Sequence, residues 1–185
     1  LPGTEPELFK KQGIDIKFLQ DNALLRGGAV LGGYSIVARH NRELQLLPSP
    51  IGLDERFLWR SLDTLQDVDK DSVLENFLGT VRFVGKEYIG SNPNGTHYYY
   101  LANAQNKQVG EVPTQIAQDH GDPHDATVIT PYKCVSCHGT HSGIRHFDDA
   151  ISRVALSKNV GLAVISKGYY KDTQLREALE DYYLS

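Results

Sequence analysis

Three residues near position 135 combine types and spacing suited to redox chemistry. Cys134 and Cys137 are the chain's two cysteines, and His138 follows directly, giving a C-x-x-C-H pattern. The composition would produce this pattern by chance with a probability of about 2 × 1/185 × 7/185, or about 4 in 10,000. The pattern is typical of covalent haem attachment, in which two thiols about one helical turn apart form thioethers and the histidine binds iron. We therefore expect one covalently attached haem c, with His138 as an axial iron ligand.

Two other chemistries could use the same cysteines. Cys134 and Cys137 with His141 and His146 would make a legitimate zinc set of two sulfurs and two nitrogens. The gap between the second cysteine and the first of those histidines is only three residues, however, where zinc fingers usually leave about a dozen. A redox-active C-x-x-C pair would need a thioredoxin-like βαβ setting, which the neighbouring sequence lacks. Covalent haem is thus favoured over both.

The sixth iron position is restricted by composition. The chain contains no methionine, which excludes the histidine/methionine ligation that raises the potential of many small cytochromes. His141 cannot partner His138, because three residues span at most about 10 Å while two imidazoles on one iron hold their backbones about 13 Å apart. We select His124, in a polar turn segment upstream, as the candidate sixth ligand. A lysine, a tyrosine, water or an empty position stay open as alternatives, as do four other histidines: His40, His97, His120 and His146.

The overall composition is that of a folded, mildly acidic protein. Its 185 residues carry 19 basic and 23 acidic side chains, a net charge of −4 that does not suit a dedicated nucleic-acid binder. No uninterrupted apolar stretch approaches 18 residues, so we expect no transmembrane segment. Thioether attachment takes place outside the bacterial cytoplasm, and the chain starts at Leu1. We therefore expect a periplasmic or otherwise exported protein whose signal peptide has been removed.

The first part of the chain, residues 1–112, has a β-rich pattern. Glycine, proline and asparagine turns separate short runs of β-branched, aromatic or alternating residues. These runs predict strands at Ala29–Arg39, Phe57–Ser61, Lys86–Gly90 and His97–Ala102. Residues 104–107 are predicted to form a hairpin tip, and Glu5–Gln12 a short helix. Alternation along a strand should give Tyr98, Tyr99 and Tyr100 one buried and one exposed face.

The second part, residues 113–185, has a helical pattern. Pro113 suits the first helical position of a short turn, and Asp148 or Asp149 can cap a helix over 150–155. A last helix is predicted from an apolar stripe at helical spacing: Leu175, Ala178, Leu179, Tyr182 and Tyr183. The predicted fold class is therefore α+β, a β-rich N-terminal half followed by a helical, cytochrome c-like haem-binding half.

Several short segments together resemble a family of exported bacterial monohaem c-type cytochrome domains. They are, in order, Trp59-Arg60-Ser61-x-Asp63, Pro93-Asn94-Gly95 followed by tyrosines, Pro113-Thr114-x-Ile116 with Asp119, and the C-x-x-C-H pattern. The resemblance runs from about Gly27 to the C-terminus. It implies thioether bonds at Cys134 and Cys137 and axial ligation by His138. The stretch 83–87 lacks the histidine that this family carries before Pro-Asn-Gly, so no role is transferred there.

These observations favour a monohaem c-type cytochrome acting in electron transfer, free or as a subunit of a larger redox complex. The protein partner would be a redox protein with a basic docking patch, because haem propionates add to the chain's negative charge. The β-rich half would cover the distal side of the haem or contact this partner. The alternatives are a peroxidase-like haem enzyme and a haem-based gas sensor, which both need an open sixth position.

Overall fold

A six-stranded antiparallel sheet forms the centre of the structure, a computed structural model that describes residues 1–22, 26–30, 40–48, 57–65, 73, 81–92, 94, 96–114, 117–119 and 124–138. Its strands follow chain order, so each pairs with the next along the sequence. They are β1 Arg26–Val30, β2 Arg42–Pro48, β3 Phe57–Asp63, β4 Gly85–Ser91, β5 His97–Asn103 and β6 Gln108–Val109. A second sheet pairs β7 Glu111–Val112 with β8 Val128–Ile129. The helices are α1 Glu5–Gln12, α2 Ile16–Asp21 and α3 Tyr132–His138.

Helix α1 has the bounds that its sequence predicts. The Thr4 hydroxyl caps its start by accepting a hydrogen bond from the Glu7 amide, and Gly13 ends it in the left-handed conformation at φ 66°. Leu8 and Phe9 lie on its buried side. The prediction of a short N-terminal helix is confirmed.

One face of the central sheet, which we call the α1 face, packs against the first two helices. Leu58, Tyr88 and Tyr100 lie in one core with Leu8 and Phe9. The Tyr88 ring contacts the Phe9 and Tyr100 rings edge-on, with centroid distances of 6.2 and 5.4 Å. The prediction that the first part of the chain is β-rich is thus confirmed: its strands form one sheet, and α1 and α2 cover one face of that sheet.

A buried ionic cluster joins α1 to the same face. The Glu5 carboxylate, 5% exposed, accepts hydrogen bonds from Arg60 (3.2 Å), Lys86 (2.8 Å) and the Tyr88 hydroxyl. Burial alone would raise the pKa of Glu5, but the hydrogen bonds from Lys86 and Tyr88 and the nearby positive charges outweigh it and lower that pKa. Glu5 is therefore ionised at neutral pH and fixes α1 on the sheet.

The opposite face of the sheet, which we call the α3 face, carries Trp59, Ile89 and Tyr99 in one row of directly paired residues. Farther along β5, Leu101 lies in a second core with Val112, Ala117 and Val128. Tyr99 is 7% exposed, so both faces of β5 are covered. The expectation of one exposed face for the three tyrosines is wrong, because β7, β8 and α3 pack where solvent was expected.

The α3 face also carries two carboxylates that share one guanidinium. Arg42 lies 3.2 Å from Asp63 and 3.3 Å from Glu87. Burial, together with the neighbouring negative charge of Glu87, raises the pKa of Asp63 to about 6, although Arg42 opposes the shift. Asp63 is therefore harder to ionise in the folded protein than in the unfolded chain.

The predicted fold class is wrong for the part of the chain that the structure describes. That part is mostly antiparallel sheet with three short helices, and no helical half is present in it. Past Pro113, the amide of Ala117 closes one turn by bonding the Pro113 carbonyl (3.3 Å), and the chain then returns as β8 before α3 begins. Strand pairing of 111–112 with 128–129 overrides the local helical signal. The helices predicted over 150–155 and 175–183 lie outside the described residues.

Candidate functional site

The C-x-x-C-H residues occupy helix α3, with His138 as its last residue. Positions 134, 137 and 138 are spaced i, i+3 and i+4, so their backbones share one side of the helix. The side chains of Cys134 and His138 are half-buried, while that of Cys137 lies outside the described part. The expected separation of the two cysteines by about one helical turn thus agrees with the backbone that the structure gives them.

A backbone hydrogen bond attaches the start of α3 to the segment between β6 and β7. Thr130, two residues before the helix, donates its amide to the Gly110 carbonyl (2.9 Å), and within the first turn the Val135 amide bonds the Pro131 carbonyl (2.9 Å). The Thr130 hydroxyl also lies 3.5 Å from the Cys134 sulfur, at hydrogen-bond distance. These contacts anchor the start of the helix beside the end of β6.

An ion pair fixes the first turn of the same helix. Lys133 Nζ lies 2.9 Å from Asp119 Oδ2, and the two side chains are only 13% and 17% exposed. The Asp119 amide in turn bonds the Ala126 carbonyl (2.8 Å) and closes the loop before β8. The start of the helix that carries the motif is therefore attached both to Gly110, after β6, and to Asp119, before β8.

The aromatic ring that meets His138 comes from the central sheet. The rings of Tyr99 and His138 are stacked, with centroids 6.3 Å apart and planes inclined by 27°. The ring of His97, two residues earlier on β5, also contacts the Tyr99 ring edge-on, with the centroids 6.4 Å apart. Sequence reasoning did not single out Tyr99 as a neighbour of His138, because the contact joins positions 39 residues apart and leaves no local signal.

The electrostatics around this stack favour a neutral tyrosine. Burial, and secondarily the neighbouring Cys134, raise the pKa of the Tyr99 hydroxyl above its ordinary value of 10.0. The phenol is therefore protonated throughout the physiological range. His138 thus packs against an uncharged aromatic face.

The candidate sixth ligands are distributed over several parts of the chain. His124, our choice from the sequence, is exposed in the segment before β8. His97 is half-buried on β5, and His40 is half-buried two residues before β2 begins. His120, His141 and His146 lie outside the described residues. The assignment of His124 stays a prediction.

The residues of α3 fit a covalent haem by the chemistry of their donor set. The motif places a thiol, a second cysteine one helical turn on and an imidazole on one side of a single helix. A porphyrin supplies four nitrogens to its iron, so only one or two protein donors are needed. Among the described residues, no group of three or more His, Cys, Asp or Glu could hold a bare metal ion. His141 and His146, which the zinc alternative requires, lie outside the described residues.

The described helices have 8, 6 and 7 residues, and none of them is long and apolar enough to cross a membrane. No family model, no curated protein and no solved structure matches this chain. The haem assignment and the resemblance to monohaem cytochrome domains therefore rest on the residues themselves.

Proposed function

We propose that this chain is an exported bacterial monohaem c-type cytochrome that transfers single electrons to and from a redox protein. The observation that carries the proposal is the placement of the whole C-x-x-C-H pattern on α3, with the His138 ring packed on Tyr99. A helix anchored to two sheets provides a rigid mount for a covalent cofactor. A rigid mount suits electron transfer, which requires that little move when the charge changes.

The roles of the three motif residues follow from their chemistry. The Cys134 and Cys137 thiols would each add across a vinyl group of the porphyrin, so that the sulfur and the hydrogen of each S–H end on the two vinyl carbons. His138 would donate an imidazole nitrogen to the iron. Haem, when bound, supplies reversible one-electron chemistry at its iron. The chain lacks methionine, so a ligand other than methionine would fill the sixth position.

The proposed partner is a redox protein, free or within a larger complex, with a basic docking surface. The chain's net charge is −4 before any haem propionates are counted. Long-range attraction between opposite charges accelerates association and weakens with added salt. An acidic electron carrier is therefore expected to exchange electrons faster with basic partners at low ionic strength.

Denaturing electrophoresis followed by a haem stain tests the proposal directly. The chain is expressed with a c-type haem maturation system, unchanged and as a Cys134→Ser, Cys137→Ser double variant. The unchanged chain should keep the stain and the double variant should lose it, because only thioethers survive denaturation. Ser136→Ala, an exposed change between the two cysteines, should keep the stain and serves as the matched control. An unstained wild-type chain, or a stained double variant, would overturn the proposal.

A further inference from the structure

We infer that Tyr99 is a positioning residue for His138, whose imidazole it holds in one orientation and shields from water on one side. The inference rests on the proposed function, since it concerns the environment of the imidazole that would bind the haem iron. It goes beyond that function by giving the central sheet a role in setting the properties of the site. It also places strand β5 of the central sheet beside the motif histidine.

The contact between Tyr99 and His138 joins β5 to α3, and each of these elements is also fixed by other contacts. Tyr99 lies in the middle of β5, directly opposite Ile89 of β4. Helix α3 is held separately, by Gly110 and by the Asp119–Lys133 ion pair. Because neither element depends on the ring contact for its position, the 6.3 Å stack is imposed by the fold rather than by the two side chains alone.

The imidazole plane of His138 needs such support because its own side-chain torsion does not fix it. The torsion that turns an imidazole about its Cβ–Cγ bond has a broad energy minimum, so sequence and rotamer preference leave the ring plane loosely determined. A ring stacked at 27° on a buried tyrosine has a narrower range of orientations.

Shielding by Tyr99 also has a defined electrostatic consequence. Oxidation adds one positive charge at the iron, and water stabilises that charge better than an apolar side chain does. Tyr99 is 7% exposed and presents an uncharged ring. Its removal should admit water beside His138, stabilise the ferric form and lower the reduction potential.

The test compares three variants of the full haem-loaded chain. Tyr99→Leu removes the ring, Tyr99→Phe keeps it, and Tyr98→Leu removes the same residue type from the opposite face of the same strand. Two properties are measured: the reduction potential, and the electron paramagnetic resonance of the ferric protein, whose g-values depend on the orientation of an axial imidazole. Haem staining after denaturing electrophoresis is recorded for each variant as the separate test of attachment.

Tyr99→Leu should make reduction at least threefold less favourable, about 28 mV at 59 mV per tenfold for one electron, and should broaden or split the ferric signal. Tyr99→Phe and Tyr98→Leu should match the unchanged protein in both properties. A Tyr99→Leu protein with wild-type potential and signal would overturn the inference, as would an equal shift in Tyr98→Leu. Either of those results with the haem stain intact leaves the proposed function standing, whereas an unstained wild-type chain removes both.

A measurement on the unchanged protein covers the case in which Tyr99→Leu does not fold. A reduced, six-coordinate low-spin haem is diamagnetic, so the ring protons of the reduced protein give ordinary nuclear magnetic resonance signals. Nuclear Overhauser contacts between the Tyr99 and His138 rings are expected. Their absence from a spectrum in which both rings are assigned would overturn the inference.

Discussion

Replacing Glu5 by glutamine should destabilise the fold strongly, because Glu5 is the anion of a buried ionic cluster. The carboxylate is 5% exposed and receives hydrogen bonds from Arg60, Lys86 and Tyr88. Glutamine keeps one acceptor oxygen but leaves two buried cations without the anion between them. Breaking a buried ionic cluster by removing one member costs about 3–5 kcal/mol. Because glutamine retains one acceptor oxygen, we expect Glu5→Gln to cost about 3 kcal/mol.

Urea unfolding followed by far-ultraviolet circular dichroism measures this cost. With a urea dependence of about 2 kcal/mol per molar, the midpoint should fall by about 1.5 M. Asp21→Asn is the control, because the Lys17–Asp21 pair on α2 is 80% and 57% exposed and should contribute less than about 0.5 kcal/mol. A Glu5→Gln midpoint within about 0.5 M of wild type would refute the argument that Glu5 balances two buried charges.

The pH dependence of the Glu5 effect has a definite sign. The folded-state pKa of Glu5 lies below the ordinary value of 4.5, so the carboxylate's contribution to stability is fully present above that value. It is lost as pH falls through the folded-state pKa. The stability difference between wild type and Glu5→Gln should therefore narrow below about pH 4. A difference that stays constant or widens there would contradict the lowered pKa.

Two further substitutions test other parts of the fold. The stability of Asp63→Asn relative to wild type should rise between pH 5 and pH 8, because burial raises the folded-state pKa of Asp63 to about 6 despite Arg42, and ionising this carboxyl as the pH rises costs the wild type stability. Urea unfolding at both pH values checks this, and an equal stability difference at pH 5 and pH 8 would count against it. Gly90→Ala should cost about 1–3 kcal/mol, since its new Cβ would lie 2.2 Å from the Tyr98 ring, whereas Gly110→Ala meets nothing within 4 Å and should be nearly neutral. Equal unfolding midpoints for the two glycine variants would show that the Tyr98 ring moves aside freely.

The elements that the sequence predicts best are those fixed by local signals. Helix α1 has its cap, its apolar pair and its terminal glycine within ten residues, and its predicted bounds match. Predicted strands at Phe57–Ser61, Lys86–Gly90 and His97–Ala102 fall within β3, β4 and β5, with boundaries one or two residues longer. The hairpin tip at 104–107 is also confirmed, since the Asn103 amide bonds the Lys107 carbonyl across it (3.0 Å).

The elements that the sequence reasoning missed depend on contacts between distant residues. Strand β2 begins with Arg42 and Glu43, whose charges argue against a buried strand until Asp63 is placed beside Arg42 and the Gln45 amide beside Glu43. Strand β8 has two residues and exists only through its pairing with β7. The motif residues Cys134 and His138 were recognised from spacing alone, but the Tyr99 ring beside them is brought there by the fold of the whole sheet.

The optical spectrum of the dithionite-reduced protein, recorded before and after adding carbon monoxide, shows whether the chain carries a closed c-type haem. We expect the sharp bands of a low-spin c-type haem, unmoved by carbon monoxide, because a closed six-coordinate iron suits electron transfer. A spectrum without haem bands would contradict the assignment of Cys134, Cys137 and His138 and favour zinc. Haem bands that shift strongly with carbon monoxide would contradict electron transfer and favour a haem enzyme or a gas sensor.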